Sequence, residues 1–181
     1  IKAIEKIVKD KTCLKESIPI TTLYDFLQFT KKEGYVVFLY SFIYFIALEI
    51  MNLHVRGCYH GGINLHNIGI YYCQQTDSFI PSLLLFYEYY IYSRKIKQKK
   101  VNKEEIPKYQ EKDIKSFFKN IDKINQISDY QIIIPPEIKE TNNIKQIVRY
   151  LSNLFDVPDF LNDKEKNFFQ IFGYTAQQRE I

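Results

Sequence analysis

Leu53-His54-Val55-Arg56-Gly57-Cys58-Tyr59-His60-Gly61-Gly62-Ile63-Asn64-Leu65-His66-Asn67-Ile68-Gly69-Ile70 is the stretch on which the reading of this chain turns. It opens as the end of a helix. The residues before it, from Tyr35 to Val55, are apolar nearly all round, so they form a helix in the middle of a fold rather than on its surface. Gly57 ends that helix, because glycine takes the left-handed conformation of a helix terminus at no steric cost. Cys58 to Asn67 carries Gly61 and Gly62 and reads as a loop. Ile68 to Cys73 is β-branched and aromatic, the composition of a strand.

Working outward, the polar Gln74 to Ser78 reads as a turn, and Ile80 with Leu83 to Phe86 as the returning strand of a hairpin. Pro81 makes that second strand the weaker of the two. On the amino-terminal side, Leu23, Phe26 and Leu27 have helical spacing, with Thr22 as cap and Asp25 three residues on. This helix should stop near Lys32, at Gly34. Downstream, Lys95 to Lys112 holds seven lysines against three glutamates and reads as a solvated, mobile segment, or as a docking patch for an acidic partner. From Asp113, apolar residues recur at Ile114, Phe117, Phe118, Ile121, Ile124 and Ile127 with helical period. Ile132 to Pro136 is extended, since Pro135 and Pro136 cannot continue a helix. Ile144, Ile147, Val148, Leu151, Leu154 and Phe155 mark another amphipathic helix. A last one follows Asp163, with Phe168, Phe169 and Phe172 inward and Gly173 after it. The fold class is therefore mainly α, of the α+β kind, with a short β-hairpin.

Composition narrows the function classes. The 181 residues are 46% hydrophobic and 25% charged, which is globular and excludes a disordered chain. A net charge of +4 is too weak to argue for nucleic acid. Cys13, Cys58 and Cys73 are odd in number and far apart, so a disulfide scaffold or zinc ribbon is not expected, and an intracellular, cytoplasmic setting is. Tyr35 to Leu48 has fourteen uncharged residues before Glu49, short of the ~20 that span a bilayer. The chain begins at Ile1, which is not a native start.

The opening stretch resembles the catalytic loop of protein kinases and the helix end before it. That family reads Leu-His-x-x-Gly-x-x-His-Arg-Asp-x-Lys-x-x-Asn-Ile-x-hydrophobic. Leu53, His54, Gly57, His60, Asn67, Ile68 and Ile70 match at that spacing. Thr22 to Leu27 looks like the short helix after the kinase hinge, and Tyr35 to Val55 like the long helix before the catalytic loop. Asp113, opening a buried helix, resembles the aspartate of the family's large central helix. Ile134-Pro135-Pro136-Glu137 and the helix after it look like late kinase elements. The resemblance implies a kinase-like carboxy-terminal lobe over residues 21–181, with residues 1–20 a remnant of the hinge and amino-terminal lobe.

The departures decide what such a lobe could do. Kinases use an aspartate to accept the substrate hydroxyl's proton and a lysine two residues on to neutralise the transferred phosphoryl group. Those positions are Gly62 and Asn64 here. Asn67, a second-metal ligand in the family, stands alone, and one Asn does not hold a divalent ion. No Asp-Phe-Gly and no glycine-rich nucleotide loop occur in the 181 residues. Asp77-Ser78-Phe79 is a weak substitute, and Glu88 a conceivable metal ligand. His54 and His60 match positions with structural roles in kinases, so the six-residue spacing of His54, His60 and His66 is not read as a metal site. Cys58 and Cys73 read as small buried hydrophobes.

The expectation is a catalytically inactive, kinase-like domain, not an enzyme. It binds neither metal nor cofactor and acts as a protein-binding scaffold, allosteric partner or structural subunit of a larger assembly. His60, Gly61, Gly62, Asn64 and Asn67 form its degenerate loop. Asp113 should be the structural anchor, holding the loop backbone between Tyr59 and Gly62. Two alternatives stand beside it: an unconventional phosphotransferase using Glu88 and Asn67, completed by upstream residues, and a membrane-associated helical protein built on Tyr35 to Leu48.

Overall fold

The computed structural model describes residues 19–33, 39–74, 78–84, 103–128 and 131–154. Within them the chain is mainly helical with one small antiparallel sheet. The first helix, α1 (Leu23–Lys32), is capped by Thr22, whose Oγ1 accepts the Asp25 N–H at 3.2 Å. Thr21 and Thr22 also pair, as the two-residue strand β1, with Ile70 and Gly69 of β2 (Ile68–Cys73). The sheet is thus three-stranded, in the order β1-β2-β3.

Its third strand, β3, runs Ser78–Leu83, starting two residues before Ile80, where the sequence places it; Leu85 and Phe86 lie outside the described residues. Pro81 lies inside it, opposite Ile70. The hydrogen-bond register explains why the strand tolerates it. The Leu84 N–H donates to Asn67 O, and the Ile70 carbonyl is turned to the other side, where it accepts from the Ile20 N–H. Alternation along an antiparallel ladder then makes Ile70–Pro81 a pair without hydrogen bonds between its members. The missing proline N–H falls on the outer edge. Leu83, two residues on, also turns its N–H outward, and the carboxylate of Glu49 accepts it at 3.1 Å.

Glu49 comes from α2 (Leu39–Val55), where every residue from Leu39 to Ile50 is buried. The helix reads as apolar on all sides because it is covered on all sides: β3 packs on it, and so do the later helices. Residues 34–38, where the expected start at Tyr35 falls, lie outside the described residues. At its far end the Cys58 N–H donates to Leu53 O and the Gly57 N–H to His54 O, with Gly57 at φ +73°. This is the double bond pattern of a helix closed by a left-handed residue.

The long helix α3 spans Ile106–Ile127 and follows a single turn of 3-10 helix at Lys103–Glu105. It starts a full two turns before Asp113, so Asp113 is an interior residue and the helix dipole does not favour its charge. The expectation of a mobile segment up to Lys112 fails for residues 103–112. Pro107 has its fixed φ in the first turn, and one polar face is enough for a surface helix. Ile114, Phe117, Ile121 and Ile124 are its buried stripe. After it, residues 131–135 are extended. Ile132 exchanges two hydrogen bonds with the Asn125 amide, and the Ile133 N–H donates to the Tyr40 hydroxyl. Pro136 then opens the short α4 (Pro136–Lys139), and α5 (Ile144–Leu154) buries Ile144, Ile147, Val148 and Leu151, packing on α2. Residues 1–18 of the expected hinge remnant, the Lys95–Lys100 stretch, Asp77, Glu88 and the helix after Asp163 lie outside the described residues.

Tyr71 on β2 offers a test of the α2–sheet contact. Burial, and then the negative charge of Glu49, raise its hydroxyl above the ordinary tyrosine value. The folded state therefore holds the proton where the unfolded chain releases it, near pH ~10. The associated stability is fully present below that pH and is lost as pH rises through the folded value. Urea unfolding of Tyr71→Phe should show a weaker decline above pH ~10 than the parent chain. Parallel declines would mean that Tyr71 is not the group responsible.

Candidate functional site

The loop between α2 and β2 is assembled by side chains that reach it from α3. Asp113 is 2% exposed and accepts three hydrogen bonds. The His60 N–H donates to Oδ2 at 2.7 Å, the Gly61 N–H to Oδ1 at 2.8 Å, and His54 Nε2 to Oδ2 at 3.0 Å. Gln110, three residues earlier on the same face, donates through Nε2 to the carbonyls of His54 and Cys58. Asn120, seven residues after Asp113, donates to Ile63 O at 2.7 Å. Tyr109 stacks on Tyr59, with ring centres 4.6 Å apart. Spacings of three and seven keep these polar groups on one stripe of the helix.

Inside the loop the remaining polar groups bond to one another. Gly61 has φ +80°, a conformation that favours glycine. The Gly62 N–H donates to His60 Nδ1 at 3.2 Å, and His60 Nε2 donates to Leu84 O at 3.4 Å. That pair of bonds uses the neutral imidazole with its proton on Nε2. Asn64 Oδ1 accepts the N–H groups of His66 and Asn67 and so caps the 3-10 turn Leu65–Asn67. Asn67 Nδ2 donates to Gly62 O at 2.9 Å. His66 is exposed, its ring 4.4 Å from that of Tyr24.

The structure therefore brings His54, His60, Gly61, Gly62, Asn64, Asn67 and Asp113 into one network and leaves His66 at its rim. The network is a backbone support. Gly62 has no side chain to act as a base, Asn64 is neutral and spent on a cap, and the amide nitrogen of Asn67 holds Gly62 O. Among the described residues no cluster of three or more His, Cys, Asp or Glu side chains could hold a metal ion, and no helix is long and apolar enough to cross a membrane. Cys73 is buried, and Cys58 is half-buried with its thiol on Arg56 O.

Gln110, Asn120 and Glu49 escaped the sequence reading. The signal for Asn120 was a polar residue among core positions, between Phe117 and Ile121. For Glu49 it was a charge inside a helix apolar all round. Gln110 sat in a lysine-rich segment and gave no such signal. No protein-family model, curated protein or solved structure matches this chain.

Asp113→Ala should destabilise the fold by about 3–5 kcal/mol, since it strands the buried N–H of His60 and the His54 ring and leaves the Gly61 N–H without its acceptor. Urea or thermal unfolding measures this, and a loss below ~1 kcal/mol would contradict the anchoring role. Gly57→Ala should cost about 1–2 kcal/mol, the strain of a left-handed residue that carries a Cβ. A Cβ there meets nothing within 4 Å, so the cost is conformational alone.

Proposed function

We propose that this chain is the carboxy-terminal lobe of a protein-kinase-like fold whose catalytic loop has lost its chemistry. Its work is to bind other proteins inside the cell, as a scaffold, an allosteric partner or a structural subunit of a larger assembly. One observation carries the reading: the carboxylate of Asp113 holds the backbone of His60 and Gly61 across more than fifty residues of sequence. The resemblance of the loop motif requires an aspartate from a later helix at that place.

The same loop argues against phosphoryl transfer. A kinase-like site needs an acceptor for the hydroxyl proton, a cation for the transferred group and a metal-binding carboxylate. Each supplies several kcal/mol of transition-state stabilisation. Gly62 and Asn64 supply neither of the first two. An unconventional phosphotransferase would have to be built on Asn67 and on Glu88, and Glu88 lies outside the described residues. What remains is a rigid helical surface with an internally bonded loop, which suits binding.

The test is nucleotide itself. The purified chain should show no change in Tm on adding ATP and magnesium, because a ligand raises Tm only by binding the folded state preferentially. A rise of several degrees, or transfer of labelled phosphate to any acceptor protein, would overturn the reading.

A further inference from the structure

The inward side of α3 is taken up by its apolar stripe and by the groups that hold the loop. Its outward side carries Lys108, Lys112, Lys115, Lys119 and Lys123, all exposed. The steps between them are four, three, four and four residues. At ~100° per residue the five lysines fall within an arc of about 80°, on the side opposite Phe117 and Ile124. With a rise of ~1.5 Å per residue they make one row about 22 Å long.

A solvated helix face ordinarily alternates the two signs of charge. Here the signs are segregated. Glu111 and Asp122, eleven residues apart and so nearly in line, border the row on one flank. Tyr109 and Ser116, which carry no charge, border it on the other. Glu111 takes Lys115 in an ion pair at 3.3 Å, and the Lys112 ammonium lies 5.2 Å from the centre of the Tyr109 ring. Lys108, Lys119 and Lys123 make no ion pair with any described residue. Like charges three and four residues apart on a helix repel, so the row works against the helix that carries it. The buried stripe from Ile114 to Ile124 holds α3 in place nonetheless.

The shape of the patch selects its partner. An anionic lipid surface is a plane, and contact with it would press Glu111 and Asp122 against the same negative charge as the lysines. Nucleic-acid surfaces set arginines for the bases, or exposed aromatic rings for stacking, among their lysines, and this row holds neither. A row one residue wide with an acidic border matches a second helix of reversed sign. Its acidic row meets the lysines, and basic groups beside that row meet Glu111 and Asp122.

We propose that this face of α3 docks an acidic helix of a partner protein, with carboxylates at the same four-three-four-four spacing. The proposal rests on the protein-binding reading for the class of its partner, and it adds the surface, which is turned away from the degenerate loop. No apolar side chain stands in the row, so the contact is electrostatic and sensitive to salt.

The probe is a helical peptide of about twenty residues with glutamates at that spacing and alanine and glutamine elsewhere. Its control has the same composition with the glutamates spread round the helix. Fluorescence anisotropy with the intact chain reads both. The patterned peptide should bind saturably, with a sub-millimolar Kd at ~20 mM salt, and several-fold more weakly at ~150 mM. The control should bind about fivefold more weakly than the patterned peptide. Lys112→Gln with Lys119→Gln should weaken the patterned peptide about fivefold. Lys31→Gln with Lys32→Gln, which removes equal charge from the end of α1, should weaken it less than about twofold. All four side chains are exposed, and an undiminished Tm checks that both double variants fold. Absent or unsaturable binding, equal affinity for the two peptides, or equal loss in the two double variants would overturn the site. So would tighter binding of phosphatidylserine vesicles or of a DNA duplex at the same ionic strength. No nucleotide is present in this experiment, so a failure of the lysine row stands apart from a failure of the loop reading, which ATP tests.

Discussion

The buried carboxylate of Asp113 is the constraint on which the rest of this structure depends. A charge taken from water costs several kcal/mol unless it is surrounded by donors. Here the donors are two backbone N–H groups of an irregular loop and the ring of His54. Each needs the other: the loop has no ladder to receive its N–H groups, and among the described residues the carboxylate has no arginine or lysine partner. Meeting both needs with one contact fastens the end of α2, the loop and the middle of α3 together. Gln110 and Asn120 extend the same seam one and two turns either way.

Glu49 solves the equivalent problem on the other side of α2. The outer edge of β3 leaves backbone donors that no further strand among the described residues receives. Pro81 removes one such donor, and Glu49 accepts another from Leu83. The carboxylates buried in the core, Glu49 and Asp113, thus have a common use. Each is carried on a helix, whose own backbone is satisfied internally, and each is turned to a segment whose backbone is not. That is why a helix as apolar as α2 tolerates a glutamate in its middle.

Where the sequence was legible, a single local rule decided the outcome. Gly57 ends α2, Thr22 caps α1, and the period of Ile114 to Ile124 sets the buried face of α3, because each depends on neighbours a few residues away. Two features were misread, each for a physical reason. Lys103 to Lys112 has the composition of a solvated coil, yet a helix needs only one buried stripe, and Tyr109, Gln110 and Asp113 already face the loop. The second strand, read from Ile80 to Phe86, begins two residues earlier, at Ser78, and Pro81, which weakened that reading, lies inside it. Its harmlessness depends on which edge of the sheet it occupies, and that is a property of the register and not of the residue. Gln110 and Asn120 are functional to the loop only through contacts more than fifty residues away in sequence, which no local pattern encodes.

Helix and loop divide the labour of holding this segment in place. The groups that hold the loop from outside, Gln110, Asp113 and Asn120, all stand on α3. In the proposed reading, the groups that chemistry would require project from the loop itself, at the positions of Gly62 and Asn64. Gly62 takes no part in the contact to α3, since from the loop the carboxylate of Asp113 accepts only the N–H groups of His60 and Gly61. Asn64 adds a contact of its own, because its short side chain folds back to cap the 3-10 turn. The Gly62 carbonyl, with no charged side chain beside it, becomes the acceptor for Asn67. The polar side chains of the loop, His60, Asn64 and Asn67, are therefore spent on backbone within the loop and beside it, and the support from outside comes from α3.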